Sequence, residues 1–296
     1  MSLIGMHPQD RYDWSALPDR PDFQWPDGKR LAVCICNNIE VFSYLEGMGS
    51  DSASLSAPQT TRNYAWRDYG NRVGQWYLFD LLDEFGLKAA HNFNSLLFQQ
   101  CPGIAERILQ RGDEFVGHGR TNSERQFDLN EEDEAALIKE ATSQLTEMVG
   151  HAPAGWLSPW LINTPVTLDL LKEAGYRYVL DWPADDQPFW MKTRSGPILS
   201  VPYSIEINDS PSMIYRQESS MSFERMMIDQ FDEMLHQSKK RSLVYTIVLH
   251  PFVIGQPYRL RALRRALTHI MDHRDDIWIS TPGEVATHFA GLFPAE

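Results

Sequence analysis

Along the chain, hydrophobic periodicity is absent at first and then becomes regular. Residues 1–28 mix Pro, Asp and aromatics (Trp14, Phe23, Trp25) without a repeat, which predicts an arm that packs rather than a domain. The run RLAVCICNN (30–38) stays apolar until two asparagines end it, the pattern of a buried strand. Apolar runs at 87–93, 114–119, 154–159, 176–182, 198–208, 243–251 and 276–280 predict further strands. Between them, residues 71–86, 101–112, 132–150, 164–175, 222–237 and 259–273 read as helices. Thr164-Pro165 and Ser222 suit helix starts, and Gly150 and Gly175 suit helix ends. Residues 40–62, with Gly, Ser, Asp and Pro, read as a long loop.

Seven or eight strand–helix units without a composition break predict an α/β fold, a single parallel barrel over residues 29–296 behind the 1–28 arm. A dinucleotide-binding fold would need G-x-G-x-x-G after the first strand, where the chain reads NNIEVFSY. Barrel active sites lie at the C-terminal ends of the strands. Those ends hold Asn37, Asn38 and Glu40, then Asn94, then His118 with Arg120 and Asn122. Next come Pro159 and Trp160, Asp181 and Trp182, Asn208 and Asp209, and finally His250. Two histidines and a glutamate at strand ends point to one common site.

Composition narrows the chemistry. Of 296 residues 43% are hydrophobic and 23% charged, as in a soluble globular protein. A net charge of −13 argues against a nucleic-acid partner. The one basic cluster, at 259–270, spaces arginines as the solvated face of a helix does. Cys34, Cys36 and Cys101 form no C-x-x-C pair, which suits a reduced, cytoplasmic setting. Neither a signal-peptide pattern nor an 18-residue apolar window is present, so no membrane association is expected. GWLSPW (155–160) is not G-x-S-x-G, so Ser158 reads as structural, and with no nearby histidine pattern Cys101 reads as a buried or partly buried thiol. Water is then the nucleophile, with a carboxylate or imidazole as base. His91 reads as core; His7, His151, His236, His269, His273 and His288 read as bystanders.

Over about residues 28–290 the order of these motifs resembles the polysaccharide deacetylase superfamily. The resemblance implies a distorted (β/α) barrel and hydrolysis of C–N bonds. In zinc-dependent members the first strand ends in paired aspartates and the third in His-Ser/Thr-x-x-His. Here NNIEVF places Glu40 at the base position and Val41 at a metal-binding aspartate. HGRTN keeps His118 but has Asn122 for the second histidine, and WLSPW has Leu157 for an expected arginine. His250 in VLHPF matches the late acid. The stretches YGNRVGQW, DWPADDQPFWM, VPYSIEINDSP and LHPFVIGQPYRL resemble the cofactor-independent allantoinases and cyclic imide hydrolases of this superfamily.

That resemblance implies a small cyclic amide, imide or ureide as substrate and no required cofactor. An imide nitrogen leaves with its charge delocalised, so the carbonyl needs less help from a Lewis acid. Glu40 is then expected to be general base on water and His250 general acid or oxyanion donor. His118 would bond Glu40 or the substrate, and Trp160 and Trp182 would wall the pocket, raising the glutamate's pKa by desolvation. Asn38, Arg120, Asn122, Asp181, Tyr203, Asn208 and Asp209 are the expected substrate-binding residues. Two alternatives stand beside this reading. One is a carbohydrate deacetylase holding Zn²⁺ or another divalent ion through Glu40, His118 and Asn122. The other is a catalytically silent barrel binding a small ligand. The arm's aromatics also suit contact with a second copy in a homo-oligomer.

Overall fold

The computed structural model describes residues 9–49 and 59–295. Its strands are β1 (Leu31–Ile39), β2 (Ala90–Phe93), β3 (Glu114–Gly117), β4 (Gly155–Trp156), β5 (Tyr178–Val179), β6 (Phe189–Met191), β7 (Ile198–Ser200), β8 (Leu243–Leu249) and β9 (Ile277–Ser280). They form one sheet in the order β6-β7-β5-β4-β3-β2-β1-β8, with β9 against the first half of β1. Every neighbouring pair is parallel except β6–β7. Past β7, a bridge from Asn208 to Val248 and a bond from the Val248 N–H to the Ile207 carbonyl bring the chain round to β8. The sheet thus curls into a distorted barrel, as the resemblance implies.

The helices are α1 (Thr61–Tyr69), α2 (Gln75–Phe85), α3 (Leu97–Gln100), α4 (Pro102–Arg111), α5 (Glu131–Val149), α6 (Thr167–Glu173), α7 (Ser220–Ser238), α8 (Pro251–Ile254), α9 (Pro257–Met271) and α10 (Pro282–Leu292). Three expectations need correction. The runs 154–159, 176–182 and 198–208 keep only two or three residues of strand each, in β4, β5 and β7. Antiparallel β6, the apolar Phe-Trp-Met, arises where the pattern assigned no element and breaks the expected all-parallel order. Ser219, not Ser222, caps α7, accepting from the Ser222 N–H.

Alternation along β1 sorts the core. Ala32, Cys34 and Cys36 face the barrel interior with Val116, Leu157, Val244 and Val248. Leu31, Val33 and Ile35 pack outward with Leu78, Phe223 and Leu263 of α2, α7 and α9. Phe23 and Trp25 of the arm pack on their own barrel, with the Trp25 indole N–H donating to the Leu243 carbonyl at 2.9 Å. Trp14 stays exposed, and His7 lies outside the described residues. All three thiols are free, Cys34 and Cys36 buried and Cys101 half-buried. Among the described residues no helix is long and apolar enough to cross a membrane.

Candidate active site

The inward rows of three strands end in the three residues with the most chemistry. Continuing the β1 row beyond Cys36 gives Asn38 and then Glu40; the β3 row runs from Val116 to His118, and the β8 row from Val248 to His250. All line one cavity of about 220 Å³, with Arg67, Trp160, Tyr203, Asn208, Tyr215 and Phe252 among its walls. Val41 has the opposite parity and is buried behind the sheet with Phe79 and Phe93. It therefore cannot reach the cavity.

Asparagines fix the Glu40 carboxylate. The Val41 N–H donates to Asn94 Oδ1 at 2.9 Å, and Asn94 Nδ2 donates to the His118 carbonyl. These backbone partners settle which end of the Asn94 amide is which, since an N–H only donates and a carbonyl only accepts. Asn94 Nδ2 also donates to Asn122 Oδ1 at 3.0 Å. Asn122 must then turn its Nδ2 to Glu40 Oε1, 2.6 Å away. Its donor end faces the carboxylate, so it offers no ligand atom to a cation there.

Two imidazoles flank the same carboxylate oxygen. His250 Nε2 lies 3.6 Å and His118 Nε2 3.8 Å from Glu40 Oε1. The far sides of the rings differ. His118 Nδ1 donates to the Leu157 carbonyl at 2.7 Å, which leaves Nε2 facing the cavity; that buried atom has no hydrogen-bond partner among the described residues. His250 Nδ1 donates to buried Asp209 Oδ1 at 2.7 Å, and the His250 N–H donates to Oδ2 at 2.9 Å.

The charges follow. Burial works to raise the Glu40 pKa, but His118, His250 and the more distant Arg67 together bring it below its ordinary 4.5. The expected net rise by desolvation is overturned, because cationic neighbours outweigh burial. For His250, burial favours the neutral ring, yet Asp209 and Glu40 raise its pKa above the ordinary 6.5. A carboxylate biased toward its ionised form thus faces an imidazole biased toward its protonated form.

Arg67 is a cavity residue that the hydrophobic pattern does not reveal. It comes from α1, a helix with no apolar stripe to announce it, and sits 8% exposed with its guanidinium 3.8 Å from the Phe42 ring centre and 5.3 Å from that of Phe252. Between α1 and α2 the chain makes a π-helical turn, Gly70–Gly74, from which Asn71 Nδ2 donates to the Glu40 carbonyl at 2.8 Å. The glycines let this turn press against the His250 loop. A Cβ on Gly70 would lie 2.7 Å from the Phe252 nitrogen, and one on Gly74 2.2 Å from the Pro251 oxygen. The YGNRVGQW stretch therefore sets both the Glu40 backbone and the His250 turn.

The remaining expected residues divide. Asn38 holds the Leu249 carbonyl at 3.2 Å and the Tyr203 hydroxyl at 3.0 Å, and both side chains line the cavity, as does Asn208. Trp160 also lines it, at a left-handed φ of 62°, with its indole N–H on the Asn122 carbonyl at 2.9 Å. Such a backbone costs on the order of 1–3 kcal/mol and recurs at functional sites. Asp209 serves His250 rather than the cavity. Asp181, its pKa pushed up to about 6 by burial, accepts from the Ser158 N–H at 2.6 Å and supports that loop from behind. Trp182 packs on Tyr12, outside the cavity, because β5 ends at Val179 and its alternation goes no further. Arg120 pairs with Glu124 and Glu140, thrown outward by left-handed Gly119 at φ 64°. The roles expected of Trp182 and Arg120 are therefore not supported. His91, fully buried against Asp113 at 3.0 Å, is core as expected.

Residues 66–179 match the family model described as polysaccharide deacetylase. The matched segment runs from α1 to β5. A peptidoglycan deacetylase from Helicobacter pylori is 24% identical over 289 residues, covering 87% of this chain and 96% of that protein. Among solved structures, Puue allantoinase superposes with a TM-score of 0.84 at 24% identity, covering 94% of this chain and 96% of that one. A structure described as a probable polysaccharide deacetylase from Pseudomonas aeruginosa PAO1 gives 0.83 at 24% identity with the same coverage. In this polysaccharide deacetylase fold the chain is a hydrolase of carbon–nitrogen bonds.

Proposed function

We propose that the enzyme opens a C–N bond in a small cyclic amide, imide or ureide, without a metal ion. One observation carries the reading. The Glu40 carboxylate and the unpartnered Nε2 of His118 lie 3.8 Å apart, and a water between them would donate one hydrogen to each when that nitrogen carries none. Zinc sites take three or four His, Cys or carboxylate ligands. Asn122 presents an amide donor here and Val41 points away, so the set is poor for zinc. A cavity of about 220 Å³ also suits a small ring better than a polymer.

In this mechanism Glu40 takes a proton from the water, whose oxygen bonds to the ring carbonyl carbon. Arg67 faces the negative charge that develops on the carbonyl oxygen. The ring C–N bond then breaks, and the His250 imidazolium gives its proton to the departing nitrogen while Asp209 holds the ring in place. The likeness in fold to Puue allantoinase supports a ureide as one substrate. We assign the activity to a single domain, residues 29–296, with 1–28 as an arm, and a cytoplasmic setting fits the three free thiols.

The peptidoglycan deacetylase relative favours a second reading, metal-dependent removal of acetyl groups from a sugar polymer. Metal-stripped protein incubated with hydantoins, succinimides and acetylated sugar oligomers separates the two. Ring opening by stripped protein is expected. Deacetylation that appears only after zinc is returned would replace our reading with the second.

A further inference from the structure

Two histidines that read as bystanders in the sequence stand together on the outside of the barrel. His269 lies in the last turn of α9 and His273 just beyond its end, with their ring centres 5.6 Å apart. Asp232 of α7 reaches the same face, with Oδ1 2.7 Å from His269 Nε2. One ligand atom from each of the three lies within 4.8 Å of the others, and no other set of three among the described residues does so. Ligand atoms around a tetrahedral zinc are spaced roughly 3.3–3.5 Å, by the usual bond lengths of about 2.0–2.2 Å. To hold an ion the 2.7 Å Asp232–His269 pair must open and the wider pairs close, and the half-exposed side chains are free to move.

The local packing holds the two imidazoles side by side. Buried Phe231 lies between the helices with its ring 6.1 Å from that of His269 and 5.7 Å from that of His273, so both imidazoles rest on one support. Two imidazoles and a carboxylate select a borderline ion such as Zn²⁺, Ni²⁺ or Co²⁺, with water completing the shell. A net charge of −13 draws cations toward the protein. We propose that Asp232, His269 and His273 bind one divalent transition-metal ion and so clamp α7 to α9. The site is separate from catalysis. α9 begins beside the His250 turn, and His269 is roughly 18 Å farther along its axis. The proposal therefore holds whichever substrate the cavity takes.

The test is titration of zinc chloride into the metal-stripped full chain, followed by calorimetry and thermal unfolding. One equivalent should bind, and Tm should rise with zinc concentration because only the folded state holds the site. His269→Gln with His273→Gln should abolish this binding, and Asp232→Asn alone should weaken it by about tenfold or more. Unloaded variants should keep the parent's Tm and activity. Glu40→Gln should still bind one equivalent. The proposal is overturned by absence of binding in the parent, by binding that survives the double substitution, or by its loss in Glu40→Gln.

Discussion

The His118 and His250 sides of the cavity differ in one feature, and that feature divides their labour. Each imidazole turns Nε2 toward Glu40 Oε1, at 3.8 and 3.6 Å. His118 is held from behind by a neutral carbonyl, that of Leu157, and His250 by the carboxylate of Asp209. A carbonyl fixes the proton on Nδ1 and brings no charge of its own, so in our mechanism His118 offers Nε2 to the water. A buried carboxylate favours the protonated ring, so His250 becomes an acid. Residue type at the strand end does not distinguish the two; the group behind the ring does.

The harshest way to break this comparison is to remove the oxygen both rings face. Glu40→Gln keeps shape but not basicity, so kcat should fall by about 10²–10⁴-fold. His250→Asn should fall by a comparable factor, and the double variant by less than the product, because both act on one transition state. Near-full activity in Glu40→Gln, measured on the substrate the parent opens, would remove the base from the mechanism.

The three central residues of this site are legible in the amino-acid sequence. Apolar runs leading to Glu40, His118 and His250 mark the strand ends, because alternation continues while the strand does. The pattern fails where strands stop early. Trp182 lies three residues beyond the end of β5, and Arg120 follows a left-handed glycine, so parity has no bearing on either. Arg67 is hidden for a different reason. The segment TRNYAWRDY has few apolar residues, and the π-helical turn after it interrupts the 3.6-residue period. Asp209 stands out as a strand-end carboxylate but reads as a substrate-binding group, since only distance shows that it holds His250.

A milder change sharpens the electrostatic half of the comparison. Arg67 lowers the pKa values of both Glu40 and His250 by its positive charge. In Arg67→Met both limbs of the pH profile should move to higher pH. If Arg67 also faces the carbonyl oxygen, kcat should fall by about 10²-fold or more. Unmoved limbs would show that its charge does not reach the pair.

Smaller still is the effect of crowding the seam between the π-helical turn and the His250 loop. In Gly74→Ala the new methyl would meet the Pro251 oxygen at 2.2 Å. Overpacking of this kind costs about 1–3 kcal/mol, read as a lower Tm or urea midpoint. An unchanged midpoint would mean that the seam yields freely and does not position His250.

The most direct test is the pH dependence of kcat/KM for the parent and for Asp209→Asn. Activity needs Glu40 ionised and His250 protonated. The parent profile should rise through a limb below the ordinary carboxylate value of 4.5 and fall through one above the ordinary imidazole value of 6.5. Asp209→Asn removes the charge that raises His250 and leaves burial, which lowers it, so the upper limb should move down below 6.5. The lower limb should stay near its place, narrowing the active range from above. An upper limb that ignores Asp209→Asn, or that moves instead when His118 is replaced by Asn, would contradict the assignment of His250 as the acid.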